Sequence, residues 1–326
     1  MISMSRRQPW EDITTPDSDY NVLLTGGVRS VPVYWGKDTS GQCLLIVELE
    51  GEHNAQFTKD RITINGIGID LRQKPSSSRQ QLVLSLEKHV NRDLFFGLCE
   101  TLVGSLDPVT EPAVALAVSL RHLKRWKLFL AGRDPRLMSP EEVRGLFAEL
   151  QFLRTLLDGR LQESDAVQAW HGPDKAQHDF SFGNTSVEIK SLTGNERNSV
   201  RISSEDQLES LNDDLFLRIY RLSAMPESDR AVSLNELVQA IEGILTDSLS
   251  VDRFHASLAA YGYVYMLDYD MPRFVVSETR TYEVIEGFPR LIRSALPEGV
   301  ARVGYDVKLE SIDTFLRADD DIFGGI

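Results

Sequence analysis

The sequence predicts an α+β protein in two parts, a β-rich N-terminal region followed by a mixed α/β region. Three observations predict it. Short apolar runs bounded by Gly, Ser and Asp recur up to residue 87. From Arg92 the apolar residues switch to helical spacing. After Ser139 a well-capped helix start is followed by further strand-like runs. The expected domains are residues 1–135 and 136–326, and a chain of 326 residues can fill two cores.

Residues 20–87 read as an antiparallel sheet or small barrel. Its strands are Val22-Leu23-Leu24, Val31-Pro32-Val33-Tyr34-Trp35, the run from Leu44 to Leu49, and Leu82 to Leu86. Ile62-Thr63-Ile64 and the run from Ile67 to Leu71 flank Asn65-Gly66, a hairpin signal. Leu94, Phe95, Leu98 and Leu102, then Val114, Val118 and Leu123, keep helical spacing. Asp107-Pro108 and Glu111-Pro112 interrupt them, which predicts two helices between Arg92 and Leu130. Arg133-Asp134-Pro135-Arg136 reads as a linker. Lys74 to Arg79 and the acidic Asp319-Asp320-Asp321 read as loose stretches.

In the second region Ser139 can cap a helix, Pro140 suits its first position and Glu142 completes a capping box. The helix is expected to run to about Leu157, with Val143, Leu146, Phe147, Leu150, Leu153 and Leu157 facing the core. Residues 166–192 read as strands, 204–211 as helix and 214–222 as strand. Residues 233–249, after a Ser233 cap, and 251–260 read as helices. Tyr261 to Asp268 and Arg273 to Val276 read as closing strands.

Composition excludes several function classes. The chain is 42% hydrophobic and 26% charged, ordinary for a globular protein. Two cysteines, Cys43 and Cys99, exclude a disulfide scaffold and a Cys-based zinc cluster. A net charge of −14 argues against non-specific coating of nucleic acid or anionic membrane. No apolar run approaches 18 residues, and MISMSRRQPWED lacks the apolar stretch of a secretory signal. A reduced, cytoplasmic protein is expected. No phosphate-binding Gly-x-x-x-x-Gly-Lys-Ser/Thr, His-Glu-x-x-His or Gly-x-Ser-x-Gly string occurs. Ser85-Leu86-Glu87-Lys88 fits Ser-x-x-Lys without the other elements of that acyl-transfer site.

The informative segment runs from Gln177 to Lys190. Gly183-Asn184 is a two-residue turn signal between β-type runs. With that loop, Phe182 pairs with Thr185, Ser181 with Ser186, Phe180 with Val187 and Asp179 with Glu188. The last pair would place two carboxylates with Cβ atoms about 5 Å apart, and directly opposed like charges destabilise a sheet. A bound divalent ion with oxygen ligands would reconcile them. Strand parity puts Lys190 on the face of Glu188, while Val187 and Ile189 point into a core. Glu149 lies one helical turn from both Leu146 and Leu153, so it borders the buried stripe, where a carboxylate needs a partner. His171 and His178 read as loop or core histidines, and Trp170 as a packing residue.

A helix glutamate, then Asp179, then Glu188-Ile189-Lys190 resembles the PD-(D/E)XK nuclease pattern. Trp170-His171-Gly172-Pro173, His178-Asp179-Phe180 and Val187-Glu188-Ile189-Lys190-Ser191 resemble the bacterial "PD-(D/E)XK motif protein" family of phage-defence and restriction gene clusters. The resemblance covers residues 139–222 closely. It implies a restriction-endonuclease-like core of mixed strands flanked by helices, and Mg²⁺-dependent cleavage of DNA, with Mn²⁺ able to substitute. Carried onto this chain, Asp179 and Glu188 would ligate metal with the Ile189 carbonyl, Lys190 would assist the attacking water, and Glu149 would be the acidic helix residue among the ligands. Gln207 would be the polar residue that follows the core strands. The pattern departs at one place, because His178 and not proline precedes Asp179. A literal Pro173-Asp174 stands five residues earlier, but Asp174 lacks the cross-strand relation to Glu188.

Residues 121–136 hold Arg121, Lys124, Arg125, Lys127, Arg133 and Arg136 against Asp134, a local balance of +5. With Trp126 among them, they read equally as a phosphate-contacting helix and as a solvated amphipathic face. The acidic remainder and the resemblance together suggest that a partner, a helicase or other ATPase of a defence system, delivers DNA.

Overall fold

The computed structural model describes residues 7–26, 30–74, 77–87, 90–131, 136–174, 176–194, 198–210, 212 and 214–324. The chain divides into two compact units, Met1–Arg136 with Val264–Leu267, and Leu137–Tyr263 with Asp268–Ile326. Helices and strands mix throughout, in the α+β class that the sequence predicts.

The first unit holds a five-stranded antiparallel sheet in the order β1-β2-β3-β5-β4. The strands are β1 (Tyr20–Leu24), β2 (Val33–Asp38), β3 (Cys43–Glu50), β4 (Ile67–Gln73) and β5 (Arg79–Leu86), with a short α1 (Asn54–Lys59) between β3 and β4. Central β3 is buried over seven of its eight residues, so both of its faces are covered. Two helices follow, α2 (Arg92–Leu106) and α3 (Pro112–Leu130), separated at the prolines as predicted. Trp10 stacks on Phe95 of α2 and donates its indole N–H to the Leu44 carbonyl at 2.9 Å, tying the N-terminal segment to sheet and helix.

Two expectations change in this unit. Ile62-Thr63-Ile64 forms no strand. Ile64 makes a single bridge to Ile67 across the Asn65-Gly66 turn, and β5 takes the ladder partner role beside β4. Trp126 is fully buried in α3, which removes it from any surface that could meet nucleic acid. The linker reading of residues 133–136 lies, but for Arg136, outside the described residues.

The second unit opens with α4 (Pro140–Leu157), whose Ser139/Glu142 capping box forms as predicted. Then come α5 (Glu163–Ala169), β6 (Phe180–Phe182), β7 (Thr185–Thr193), β8 (Ser199–Ile202) and β9 (Asp214–Ala224). After them lie α6 (Leu234–Ile244), α7 (Ser248–Tyr261), β10 (Phe274–Glu283), β11 (Tyr305–Lys308) and β12 (Leu316–Arg317). The main sheet runs β12-β10-β9-β7-β6 and is mixed, with β7 and β9 parallel. Phe152 of α4 packs edge-on against Phe180 of β6, and Phe147 against Phe274 of β10, so α4 covers one face. On the other face Leu192, Leu215, Leu217 and Ile219 form one core cluster with Val200 and Ile202 of β8 and Val307 of β11. β8 and β11 pair into a two-stranded ribbon.

Residues 166–192 are not all strand. Ala166, Val167, Ala169 and Trp170 are buried at i, i+1, i+3 and i+4, a helical spacing, and they belong to α5 and its C-cap. The helix expected over 204–211 is a single 3-10 turn, Glu205–Leu208. Tyr261 to Asp268 forms no strand, because α7 ends on Gly262 in the left-handed region (φ 102°) and a 3-10 turn starts at Leu267. The acidic tail is not loose. Asp319 accepts from buried Arg218 at 3.2 Å, and Ile322 is fully buried.

Candidate active site

The hairpin of β6 and β7 sets the site. Gly183 takes φ 53°, which glycine adopts without strain. The register is Phe182 with Thr185, Ser181 with Ser186 and Phe180 with Val187, as the Gly183-Asn184 turn predicts. β6 has three residues and β7 has nine, so beyond Val187 that edge of β7 has no β6 strand beside it. The next expected pair, Asp179 with Glu188, does not form as a ladder pair. The chain bends at Asp179, and Asp179 Oδ2 accepts the Ile189 backbone N–H at 2.7 Å. A buried backbone donor needs a partner, and here a side chain takes the place of a strand. The two acids meet at a capped strand edge rather than across a ladder.

Strand alternation supplies the next members. Val187 and Ile189 are buried on the α4 side, while Glu188, 1% exposed, and Lys190 share the opposite face. Lys190 Nζ donates to Glu188 Oε1 at 2.7 Å and to Gln207 Oε1 at 3.2 Å. Gln207 sits on the 3-10 turn after β8 and is held by the Ser203 N–H at 2.8 Å. The structure therefore brings Asp179, Glu188, Ile189, Lys190 and Gln207 to one place.

Glu149 reaches the site from α4 and is buried. Its Oε2 accepts from the Trp170 indole at 2.7 Å and its Oε1 from the Tyr261 hydroxyl at 3.0 Å. Gly172 is required beside it, since a Cβ there would stand 2.1 Å from Glu149 Oε2. A Cβ on Gly145 would stand 3.0 Å from the Tyr261 hydroxyl. The backbone N–H groups of His171 and Gly172 both donate to the Asp179 carbonyl, at 2.7 and 3.1 Å. The segment from Trp170 to Gly172 thus holds Glu149 by a side chain and Asp179 by its main chain. Trp170 is buried, His178 is a buried histidine whose pKa burial lowers, and His171 engages Asp179 through its backbone. Sequence reasoning missed Tyr261 and the clearance at Gly145 and Gly172. The one signal for this clamp was the Trp170-His171-Gly172-Pro173 string.

These groups line a cleft of ≈ 620 Å³ that includes Glu149, Asp179, Glu188, Lys190, Arg201 and Gln207. Its electrostatics are short of positive charge. Burial, then the neighbouring Asp179 carboxylate, pushes Glu188 up to about 8 against the pull of Lys190. Burial raises Asp179 as well, opposed by Lys190 and the Ile189 N–H. Burial and Asp179 hold Glu149 well above the usual carboxylate range. Burial works against the charge of Lys190, but Glu188 and Asp179 outweigh it and raise its pKa. One ammonium serves several acids.

Among the described residues, no three His, Cys, Asp or Glu side chains are grouped to enclose a metal ion. The donors present are the buried Glu188 carboxylate, the half-buried Asp179 carboxylate and a main-chain segment at the open edge of β7, beside a cleft with room for water. That set fits a hard cation such as Mg²⁺, which takes one or two carboxylates and keeps several waters. Among the described residues no helix is long and apolar enough to cross a membrane.

A family model described as "Putative PD-(D/E)XK family member, (DUF4420)" matches residues 7–310. No curated protein and no solved structure matches the chain.

Proposed function

The chain belongs to the DUF4420 family of PD-(D/E)XK proteins, and from that premise we propose that it is a metal-dependent DNA endonuclease, a cytoplasmic subunit of a bacterial anti-phage or restriction system. The observation that carries the reading is the convergence of Asp179, Glu188, Lys190 and Gln207 at the open edge of β7. Residues 136–326 would form the nuclease domain and residues 1–135 a domain that meets DNA or a partner.

Asp179, Glu188 and the Ile189 carbonyl would hold Mg²⁺ or Mn²⁺, with Glu149 as the acidic helix member of the set. An ion bound there would supply a lowered pKa for water and neutralisation of phosphate charge. The chain's own residues do the rest. Gln207 fixes Lys190 Nζ, so the ammonium is oriented before substrate arrives. Lys190 then positions the attacking water and stabilises the charge that develops on the phosphate. Trp170 and Tyr261 hold the Glu149 carboxylate in one orientation at the cleft wall, and the His171 and Gly172 N–H groups keep Asp179 in place. A partner ATPase or helicase would supply the strand separation or delivery that this acidic chain lacks.

The test is purified protein with plasmid DNA and Mg²⁺ or Mn²⁺, alone and with its operon partners. Cleavage lost in Asp179→Ala and Lys190→Ala supports the proposal. Cleavage that survives both substitutions defeats it. A second reading, a non-catalytic DNA-binding or assembly subunit, is favoured by the lack of a preassembled three-ligand group among the described residues. Calorimetry with Mn²⁺ separates the two, because the second reading expects no metal binding with partner association intact.

A further inference from the structure

The nuclease reading leaves open what grips the substrate's phosphodiester backbone, and the geometry points to Arg201 as that anchor, with Asp306 as the counter-ion that holds it until substrate arrives. This inference rests on the nuclease reading for the identity of the substrate, but its test does not depend on cleavage.

The charge inventory of the cleft comes first. Its described lining residues include five acids, Glu141, Glu142, Glu149, Asp179 and Glu188, and two cations, Lys190 and Arg201. The lysine side chain is 17% exposed, and its ammonium is already engaged by Glu188 and Gln207. Arg201 is 61% exposed. A polyanion entering an acid-rich cleft therefore finds one solvent-facing cation among these residues.

Strand geometry aims Arg201 outward. In β8, Val200 and Ile202 are buried in the core cluster, and Arg201 between them projects from the ribbon's exposed face. Asp306 of β11 lies directly across the ladder, with a 3.6 Å ion pair between two side chains that are each about 60% exposed. Exposed pairs of this length contribute little and are screened by salt. A phosphate offers the guanidinium a two-pronged, charge-assisted contact that is stronger than this one. Exchange from Asp306 to phosphate is thus favourable and cheap.

Arg201 is also close to the reacting centre along the chain. Two residues later the Ser203 N–H holds the Gln207 amide, which in turn holds Lys190. One short segment carries both the backbone anchor and the support of the lysine, so gripping a phosphate there sets the scissile bond relative to Lys190.

The experiment measures binding of a short labelled DNA duplex, without divalent metal, across a series of salt concentrations. Arg201→Ala is expected to weaken binding several-fold and to reduce the slope of log K against log salt by about 0.9, the loss of one phosphate contact. Asp306→Asn is expected to do the opposite and tighten binding, and the double variant to match Arg201→Ala. Arg230→Ala, an exposed arginine outside the cleft lining, is expected to change neither. Three results overturn the anchor. One is an unchanged salt slope in Arg201→Ala. Another is weaker binding in Asp306→Asn, which marks a merely structural pair. The third is no duplex binding by the unaltered protein at low salt. Cleavage kinetics separate the two ideas. A protein that binds through Arg201 yet never cuts defeats the nuclease reading alone. A protein that cuts with a KM indifferent to Arg201 defeats the anchor alone.

Discussion

Glu48 and Glu188 are both buried glutamates within strands, 3% and 1% exposed, one in each unit of the molecule. Their surroundings differ in one respect. Glu48 on β3 receives Lys74 at 2.7 Å and Arg79 at 2.6 Å. Burial would raise its pKa, but the two cations outweigh burial and hold it below the usual range. Glu188 on β7 shares a single ammonium with Asp179 and is pushed up to about 8. The same side chain on the same kind of element becomes architecture with two cations and part of a candidate site with half of one. Strongly shifted carboxyls in a cleft mark functional sites for this physical reason.

The largest break of that comparison is catalytic. Lys190→Ala is expected to lower cleavage by roughly 10²–10⁴-fold, the range for a lost proton-transfer or charge-stabilising group. Glu48→Gln should leave cleavage unchanged in the same assay. Next comes packing. Gly172→Ala is expected to cost about 1–3 kcal/mol of stability in urea unfolding, because its Cβ drives into Glu149. Gly104→Ala, in α2 with open space around it, should instead add about 0.5–1 kcal/mol. Equal effects at the two glycines would remove the claim that the second unit is carved around Glu149.

Hydrogen bonds sharpen the contrast further. Tyr261→Phe removes a donor from buried Glu149 and should cost about 1–2 kcal/mol, with a fall in cleavage. Glu48→Gln should cost a similar amount, reduced because Lys74 and Arg79 remain 40% and 47% exposed, and without a functional effect.

In pH dependence the two units should show opposite signs. Without metal, native Glu188 keeps a proton that the unfolded chain releases above about 4.5, so this contribution to stability is lost as pH rises towards about 8. His122 in α3 is driven down to about 4 by burial. The unfolded chain takes up that proton below 6.5, so stability is lost as pH falls from 6.5 towards 4. Urea unfolding across this range should show the alkaline arm flattened in Glu188→Gln and the acid arm flattened in His122→Gln.

What was legible in the sequence was local. The Gly183-Asn184 turn determines three ladder pairs, and Ser139 with Glu142 determines the start of α4, because both act over a few residues. Two helices between Arg92 and Leu130 followed from prolines. Asp179 was placed in the right neighbourhood by the wrong route. Pairing rules extend a ladder, but they do not say where a strand stops, and β6 stops one residue short of Asp179. Tyr261 was out of reach, since it joins Glu149 from 112 residues away. Gly145 and Gly172 were out of reach for a related reason. Their need for an absent Cβ appears only when α4, α7 and the segment after α5 are packed together.

The central claim is that the acids at the edge of β7 hold too many protons for the cations available, and that a divalent ion completes them. Calorimetric titration of Mn²⁺ at pH 7, repeated in buffers of different ionisation enthalpy, measures it directly. The account predicts binding with release of a proton, because a ligand whose pKa lies near 8 must be deprotonated to coordinate, and it predicts loss of that release in Glu188→Gln. No binding, or binding with the same proton count in both proteins, would contradict it.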